Sequence, residues 1–542
     1  MFRKQLIVLC FMTLPGAALL AQTPLKRPKL VVGIMIDQMR WDYLYRYYDR
    51  YPEGGFKRLL GEGYSCENAM IPYLPTYTAC GHSCVYTGSV PSINGMTGNS
   101  WYDNDLGREV YCTEDTSVQT VGSTSDEGRM SPRNLLVTTV TDELRLATNF
   151  GSKVIGISLK DRASILPAGH TANAAYWYDH KTGAFITSTY YEKELPAWAK
   201  TFNAQKLADG YYKEGWNTVF PLGTYTESTE DKVSWEGKPF GNDQDGFPYS
   251  LSAYAGKDYA KLASTPFGNS IVEEMTKAAL DGEQLGKGKY TDFLAVSFSS
   301  TDYVGHAFGP NSIEAEDTYL RLDRNLADLL AALDAKVGKG QYLVFLTADH
   351  GAAHAAGFLQ EHGVPAGTIS EGGWKKGLQQ VLENTFHVSN LVKAVLNYQV
   401  YLNQPAMDSA NLDRRKVEAE VVKYLMAQPG VARAFALDRM DNEPLPEVIR
   451  TAVENGYNPR RGGDVQTILQ PGWMDGLRTG TTHGLWNPYD AHIPLVWFGW
   501  GIKPGHLTRT VYMTDIAVTV AAKLHIQMPN GAIGHVIEEV AN

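Results

Sequence analysis

The chain has 542 residues, of which 44% are hydrophobic and 20% charged, a composition typical of globular rather than disordered proteins. Its length exceeds the roughly 100 to 200 residues of an ordinary domain, so we expect one large core with insertions, or several domains. The formal net charge of −10 disfavours nonspecific binding to nucleic acid or anionic lipid, because both require an excess of Lys and Arg. We therefore expect no nucleic-acid partner.

The N-terminus has the layout of a secretory signal. Two basic residues precede an apolar run over 6–20, and Ala21 follows. This pattern predicts a signal peptide over 1–21, cleaved near Ala21, and a mature chain of 22–542 that is periplasmic or otherwise exported. A membrane anchor is disfavoured because the run is short and Pro15 interrupts it. We expect no transmembrane segment in the mature chain.

Four cysteines remain after the signal, all within one short region. In an oxidising compartment they predict one or two disulfides, whose pairing cannot be deduced from the sequence. Cys80 and Cys84 are four residues apart on a predicted helix, so we expect them to pair with Cys66 and Cys112 and to hold that helix in place. A zinc site made of cysteines alone is the alternative, disfavoured because its usual ligand spacings are tighter.

Apolar runs that end near charged residues recur along the chain. The first four are Leu30 to Ile36 before Asp37, 153–159 before Lys160, 293–298 before Asp302, and 342–346 before Asp349. A further strand is predicted over 493–498, downstream of His483. Such runs are typical of buried parallel strands, whose carboxyl ends bind ligands in α/β proteins.

Amphipathic segments alternate with these strands, over 135–146, 270–280, 313–333 and 515–524. The alternation predicts an α/β fold with a mostly parallel central sheet sandwiched by helices. Two long stretches, about 174–267 and 357–461, interrupt the alternation. We expect them to be insertions of a single domain over 22–542 that cap the active site, the second with helices at 391–396 and 414–426.

Thr78 lies in the sequence PTYTACGHS, where a loop turns into a predicted helix. A hydroxyl at a helix N-terminus lies beside free backbone N–H groups, which stabilise an anionic phosphate. Taken alone, Thr78 fits an ordinary N-cap better than a nucleophile, because threonine is common at that position. Threonine is a weak nucleophile at neutral pH unless a base or a metal lowers its pKa. If Thr78 is the nucleophile, the chain should therefore supply a metal centre.

Six side chains near strand ends are candidate metal ligands: Asp37, Asp302, His306, Asp349, His350 and His483. Buried charges are costly unless they are paired or metal-bound, so a packed core does not explain an Asp-His pair at a strand end. Mixed oxygen and nitrogen ligands suit Zn²⁺, and six are enough for two ions with open positions. We predict two Zn²⁺. The remaining histidines, His82 among them, are expected to be structural.

In their order along the chain these residues resemble the alkaline phosphatase superfamily. Asn99 in GMTGNSWYD fits the same order, and Lys160 and Arg162 in SLKDRASILPAGH resemble the signature of PafA-type, phosphate-irrepressible bacterial alkaline phosphatases. The resemblance runs from about Pro28 to the C-terminus. It implies two zinc sites, one of Asp302, His306 and His483, the other of Asp37, Asp349, His350 and the Thr78 hydroxyl.

The resemblance also implies the activity of an alkaline phosphatase. This phosphoric monoester hydrolase would cleave small phosphate monoesters through a phosphothreonine at Thr78 and release inorganic phosphate. Asn99, Lys160 and Arg162 would bind the phosphoryl oxygens. The side chains of Lys160 and Arg162 would point to the same side if the extended backbone of the strand over 153–159 continues to Arg162. Two cations favour the doubly charged monoester.

Two alternatives stay open: a phosphodiesterase or nucleotide pyrophosphatase of the same superfamily, and a non-catalytic phosphate-binding protein of the cell envelope. A sulfatase is disfavoured, because that class has a modified Cys or Ser followed by Pro and Arg, whereas Thr78 is followed by Ala-Cys-Gly-His. The physiological substrate and the oligomeric state do not follow from the sequence.

Overall fold

The structure, a computed structural model, describes residues 26–476 and 478–541, so the predicted signal peptide lies outside the described residues. Ten strands form the central sheet. In spatial order they are Gly505–Leu507, Tyr64–Cys66, Leu495–Gly499, Tyr342–Thr347, Leu30–Ile36, Asp292–Phe298, Val154–Ser158, Ala174–Asp179, Ala184–Ser188 and Thr120–Val121. The five strands from Tyr342–Thr347 to Ala174–Asp179 are parallel, and the next strand on either side is antiparallel to them. The α/β prediction is confirmed, with a mixed sheet whose centre is parallel.

The five parallel strands are buried along their whole length. Leu30 pairs with Asp292 on one side and with Tyr342 on the other, and the register continues without a bulge to the strand ends. Because parallel strands end at one edge of a sheet, the segments that follow them meet there.

The helices form two groups that pack among themselves. One group contains Thr78–Thr87, Val140–Ala147, Asp161–Ala168 and Asp515–Leu524; the other contains Phe267–Gly282, Ser300–Phe308 and Ile313–Leu333. Further helices are Tyr43–Arg46, Phe56–Glu62, Pro91–Asn94, Ala197–Ala204, Leu207–Glu214, Ala356–Glu361, Pro488–Ala491 and Glu538–Ala541. Among the described helices, none combines the length and the apolarity needed to cross a membrane.

A second hydrophobic core lies in the later part of the chain. Its four-stranded sheet consists, in spatial order, of Val392–Leu396, Gln399–Leu402, Val465–Leu469 and Val431–Ala436. Its helices are Glu371–Phe386, Gln404–Ser409 and Arg414–Met426. The helix Glu447–Gly456 instead packs in a separate small core with Leu74 and Ile468. Three small sheets complete the fold: Ser100–Asp103 with Arg108–Tyr111, Gly367–Ile369 with Trp473–Asp475, and Ala69–Met70 between His492–Ile493 and Val511–Tyr512.

Several predicted elements differ from the structure for identifiable reasons. The helix predicted over 391–396 is wrong, because this segment is a strand that turns back at Asn397 and Tyr398, both with positive φ. The strand predicted over 493–498 divides at Pro494, which has no N–H to donate to a ladder. The predicted insertion over 174–267 begins with two strands of the central sheet.

The helix predicted over 135–146 begins instead at Val140. Thr139 and Asp142 form a capping box there, each side chain accepting a hydrogen bond from the other residue's backbone N–H. The capping box defines the start of the helix more sharply than its apolar periodicity does.

The predicted disulfides are wrong for this structure, since all four cysteines of the described residues are free and buried. Cys80 Sγ donates to Met96 O at 3.0 Å, and Asn94 Nδ2 donates to Cys84 Sγ. Burial raises the pKa of Cys112 to about 12, so this thiol stays protonated. The cysteines act here as small, weakly polar core residues.

Candidate metal centre and active site

Three buried carboxylates meet at the carboxyl edge of the central sheet. Asp37 and Asp349 follow neighbouring parallel strands, and Asp302 lies in the first turn of the helix after a third strand. None of the three is more than 3% exposed. The structure thus brings together the carboxylates that the sequence places near strand ends.

Three imidazoles complete this metal-ligand cluster, each oriented by a backbone carbonyl. Nδ1 of His306 donates a hydrogen bond to Thr481 O at 2.8 Å. Nδ1 of His350 donates to Gly351 O at 3.0 Å, and Nδ1 of His483 donates to Thr76 O at 2.6 Å. Because a carbonyl only accepts, Nδ1 of each ring carries a proton and Nε2 is the nitrogen available to a metal. Such a hydrogen bond on the other ring nitrogen is usual for a metal-bound histidine.

The candidate ligand atoms form two overlapping groups. Asp302, His306 and His483 form one, and Asp37, Asp302 and His350 form the other, with the atoms of each group within 4.8 Å of one another. Asp302 Oδ1 lies 3.1 Å from His306 Nε2 and 3.7 Å from His483 Nε2. The first group is one of the two ligand sets expected from the sequence, and Asp302 joins it to the second.

Three buried atoms of the cluster have no hydrogen-bond partner among the described residues: Asp37 Oδ1, Asp349 Oδ2 and His350 Nε2. His350 Nε2 lies 3.5 Å from Asp37 Oδ1 and 3.4 Å from Asp349 Oδ2. Leaving polar atoms buried without partners is unfavourable. A divalent cation among them would satisfy all three, so these residues fit a metal ion.

Burial opposes the ionisation of both Asp37 and Asp302, but the pKa values of the two carboxyls shift in opposite directions. Burial, reinforced by the charge of Asp349, raises the pKa of Asp37. Burial also opposes ionisation of Asp302, but His306 and Lys160 outweigh it and hold the pKa of that carboxyl well below its usual range. Asp302 is therefore ready to act as an anionic ligand.

His350 and His483 stack on each other, with ring centroids 3.4 Å apart and planes 14° from parallel. Burial lowers the pKa of both rings, and the neighbouring imidazoles lower that of His483 further. Both rings are thus held neutral, as metal coordination requires.

Thr78 is the first residue of a ten-residue helix, and Tyr77 is its N-cap. His82, one turn later, donates from Nδ1 to Thr78 O at 2.9 Å and lies 3.3 Å from Asp349 Oδ2. A Cβ atom on Gly81 would overlap the Asp349 carbonyl oxygen, so only glycine allows this close approach. The helix of the candidate nucleophile therefore packs directly on the backbone of a candidate ligand.

Asn99 precedes the hairpin of Ser100–Asp103 and Arg108–Tyr111. Its Oδ1 accepts a hydrogen bond from the backbone N–H of Ala79 at 3.0 Å. With the amide oxygen engaged in this way, the Nδ2 group remains a donor beside the nucleophile.

The extended backbone expected from Lys160 to Arg162 is not found. Lys160 is the N-cap of the helix Asp161–Ala168, so the extended backbone ends there and does not continue to Arg162. Its Nζ lies 2.8 Å from Asp37 Oδ2 and 2.5 Å from Asp302 Oδ2. In this structure Lys160 pairs with two candidate metal ligands, Asp37 and Asp302.

Arg162 is partly buried in the first turn of the same helix, where its Nη1 donates to the Tyr111 hydroxyl at 2.9 Å. Tyr111 donates in turn to Asp161 Oδ1 at 2.9 Å, and Thr113 Oγ1 donates to the other oxygen of that carboxylate. The guanidinium is thus held by the hairpin that follows Asn99.

Gln38 is a residue of the cluster that sequence analysis missed. Its backbone N–H donates to Asp349 Oδ1 at 3.1 Å, and its Nε2 donates to Asp302 Oδ1 at 2.7 Å. Its φ of 65° is unusual for a residue other than glycine. A Cβ atom on Gly305 would overlap Gln38 Oε1. In the sequence, the one feature that could have identified Gln38 was its position directly after Asp37, at the end of a buried strand.

Comparison with known proteins agrees with this geometry. The family model of type I phosphodiesterases and nucleotide pyrophosphatases matches residues 31–486. The chain is 55% identical to alkaline phosphatase PhoV of Synechococcus elongatus, over 95% of this chain and 93% of that protein. It is 54% identical to alkaline phosphatase PafA of Elizabethkingia meningoseptica, over 95% and 94% of the two chains.

The crystal structure of wild-type PafA superposes with a TM-score of 0.94 at 52% identity, covering 96% of this chain and 100% of that chain. These similarities confirm the predicted superfamily, and together with the ligand groups they indicate a metal-dependent enzyme. The chain belongs to the type I phosphodiesterase and nucleotide pyrophosphatase family of the alkaline phosphatase superfamily, and within it to the PafA-like alkaline phosphatases.

Proposed function

We propose that this chain is an exported, zinc-dependent alkaline phosphatase that hydrolyses small phosphate monoesters through a phosphothreonine at Thr78. Identity above 50% to PhoV and PafA, both named alkaline phosphatases, supports the activity. The observation that carries the mechanism is the position of Thr78, whose helix packs on Asp349 at its first turn.

Two Zn²⁺ ions would be held by the predicted ligand sets: Asp302, His306 and His483 for one, and Asp37, Asp349, His350 and Thr78 for the other. The buried, unpartnered oxygens of Asp37 and Asp349, the unpartnered Nε2 of His350 and the grouping of the ligand atoms support this assignment. When bound, zinc would stabilise the oxygens that gain negative charge during phosphoryl transfer.

In the first step, Thr78 Oγ loses its proton and attacks phosphorus, and the P–O bond to the alcohol breaks. The alcohol leaves with a proton, and the phosphoryl group stays on Thr78. Water then attacks phosphorus, the P–O bond to Thr78 breaks, a proton from the water returns to Thr78 Oγ, and inorganic phosphate leaves. The backbone N–H groups at the start of the helix and Nδ2 of Asn99 would donate to the nonbridging oxygens.

Lys160 and Arg162 would select monoesters. A monoester carries two negative charges and leaves its nonbridging oxygens free for donors, whereas a diester carries one charge and a second bulky group. Lys160 is paired with Asp37 and Asp302 in this structure. A divalent cation on these carboxylates would repel the ammonium group and favour its contact with the phosphoryl group.

A phosphodiesterase or nucleotide pyrophosphatase is the second candidate, because the matching family model carries that description. Turnover of an aryl phosphate against that of its diester separates the two. Faster turnover of the diester would overturn our proposal.

We further propose that the chain is exported through the signal peptide over 1–21 and that 22–542 forms one catalytic domain. The stretch 357–461, which contributes much of the second core, would then be an insertion.

Metal analysis combined with one substitution tests the mechanism. We expect close to two zinc ions per chain, activity that is lost on chelation and restored by zinc, and no measurable activity in Thr78→Ala with its zinc retained. Thr78→Ser serves as the control, because it keeps a nucleophilic hydroxyl. Wild-type protein that contains two zinc ions per chain but has no phosphatase activity would favour a non-catalytic phosphate-binding protein.

A further inference from the structure

The hairpin over 100–111 connects two of the proposed phosphate donors. Asn99 precedes its first strand and Tyr111 ends its second. Ser100 pairs with Tyr111 in the ladder, and the backbone N–H of Cys112 donates to Asn99 O at 2.9 Å. Asn99 and Tyr111 are therefore held next to each other by backbone hydrogen bonds.

The Tyr111 hydroxyl lies between a cation and an anion. It accepts from Arg162 Nη1 at 2.9 Å and donates to Asp161 Oδ1 at 2.9 Å. Within the part of the chain that the structure describes, this hydroxyl is the only hydrogen-bond partner of the Arg162 guanidinium, whose Nε is buried without one. The orientation of Arg162 thus depends on a single hydroxyl.

We propose that Tyr111 is a positioning residue for phosphate binding. Its hydroxyl holds the Arg162 guanidinium, and its strand joins that guanidinium to Asn99, so that both donors face the phosphoryl group as one unit. This inference rests on the proposed function, in which Arg162 contacts the phosphoryl oxygens.

The physical reason lies in preorganisation. A free arginine side chain samples many rotamers, and fixing it on a ligand costs conformational entropy. A partner that holds the guanidinium before the substrate arrives removes part of that cost from binding. Asp161 strengthens the arrangement, because a hydroxyl that donates to a carboxylate becomes a better acceptor for Arg162.

The first test is Tyr111→Phe, which removes the hydroxyl and keeps the ring. We expect kcat/KM for an aryl phosphate monoester to fall roughly tenfold, the size of a lost hydrogen bond to a charged group, and kcat/KM for the diester to change far less. Zinc content and Tm should remain those of the wild type. Tyr212→Phe is the matched control, because it also removes a buried hydroxyl bond, to Asp258 O at 2.8 Å, in another part of the fold.

A double-mutant cycle with Arg162→Ala gives the decisive result. If Tyr111 acts through Arg162, Tyr111→Phe should cause no further loss of monoesterase activity once Arg162 is alanine. Losses that multiply would overturn the inference, and so would equal losses for monoester and diester.

The same cycle separates the inference from the proposed function. If Arg162→Ala leaves monoesterase activity unchanged, the proposed role of Arg162 fails and Tyr111 has nothing to position. If Arg162→Ala lowers activity but Tyr111→Phe does not, only the inference fails. Should Tyr111→Phe fold poorly, Asp161→Asn replaces it; the same selective loss is expected, and wild-type selectivity would overturn the inference.

Discussion

The metal-ligand cluster and the phosphate donors lie side by side but are held in different ways. The carboxylates of the cluster follow buried strands, and its imidazoles are fixed by backbone carbonyls. The donors lie next to a small hairpin (Asn99) and at the start of a helix (Lys160 and Arg162). The Asn99 side chain is held by the backbone N–H of Ala79, and the two cations are held by other side chains. This difference predicts severe effects for changes in the cluster and graded effects for changes among the donors.

The largest effect is expected from Asp302→Asn. Asp302 belongs to both ligand groups and is the carboxylate whose charge His306 and Lys160 stabilise. Removing that charge should lower zinc content and reduce monoesterase activity at least about a thousandfold. Asp281→Asn, which changes a surface carboxylate paired with Lys336, is the control. A variant with full zinc content and near-wild-type kcat would contradict the assignment.

A smaller and selective effect is expected from Lys160→Ala combined with Arg162→Ala. Each lost charged hydrogen bond should cost roughly ten- to a hundredfold in kcat/KM for the monoester. The diester has less charge for these cations to bind, so its turnover should change much less, and zinc should be retained. Equal losses on both substrates would mean that the two cations serve folding or general attraction of phosphate.

Gln38→Met should have a more moderate effect, on zinc rather than on substrate. Methionine keeps the length of the side chain but cannot donate to Asp302 Oδ1, so that carboxylate loses the amide that orients it. Zinc affinity should fall about tenfold, as is typical when a hydrogen bond to a metal ligand is lost. Competition with a chromophoric chelator measures this. Gln244→Met, at a site in the 174–267 stretch, should bind zinc as the wild type does.

The metal-ligand cluster was also easier to predict from the sequence than the arrangement of the phosphate donors. An apolar run followed by a carboxylate marks Asp37 from local sequence alone, and parallel register then brings such residues together. The direction of Lys160 depends on where a helix begins, and the apolar run before it does not show this. Tyr111 and Gln38 were missed because their roles arise from contacts with residues far away in the chain.

The fold shows the same limits. Long buried strands such as Leu30–Ile36 were predicted to within a residue, because their apolar runs are continuous. The strand Val392–Leu396 was mistaken for a helix, since a short apolar segment fits both periodicities. The cysteine prediction failed because the count and spacing of cysteines do not reveal how the side chains pack.

The smallest expected effect lies where the second core meets the metal-ligand cluster. Glu371 Oε1 accepts from the backbone N–H of Tyr398 at 2.6 Å, and the Tyr398 ring lies against Gly484, next to His483. Burial, with a contribution from Asp475, raises the pKa of Glu371 from 4.5 to about 7.

Between these two pH values the folded chain binds a proton at Glu371 that the unfolded chain does not. The contribution of Glu371 to the free energy of unfolding therefore falls as pH rises from about 4.5 to about 7 and does not change above that. Glu371→Gln keeps an acceptor for Tyr398 but cannot ionise. Its Tm should match that of the wild type near pH 4.5 and exceed it by a few degrees at pH 8. Glu383→Gln, at an exposed position of the same helix, should show no such divergence. If the wild type and Glu371→Gln lose stability in parallel across this range, the second core does not carry a buried charge next to the cluster.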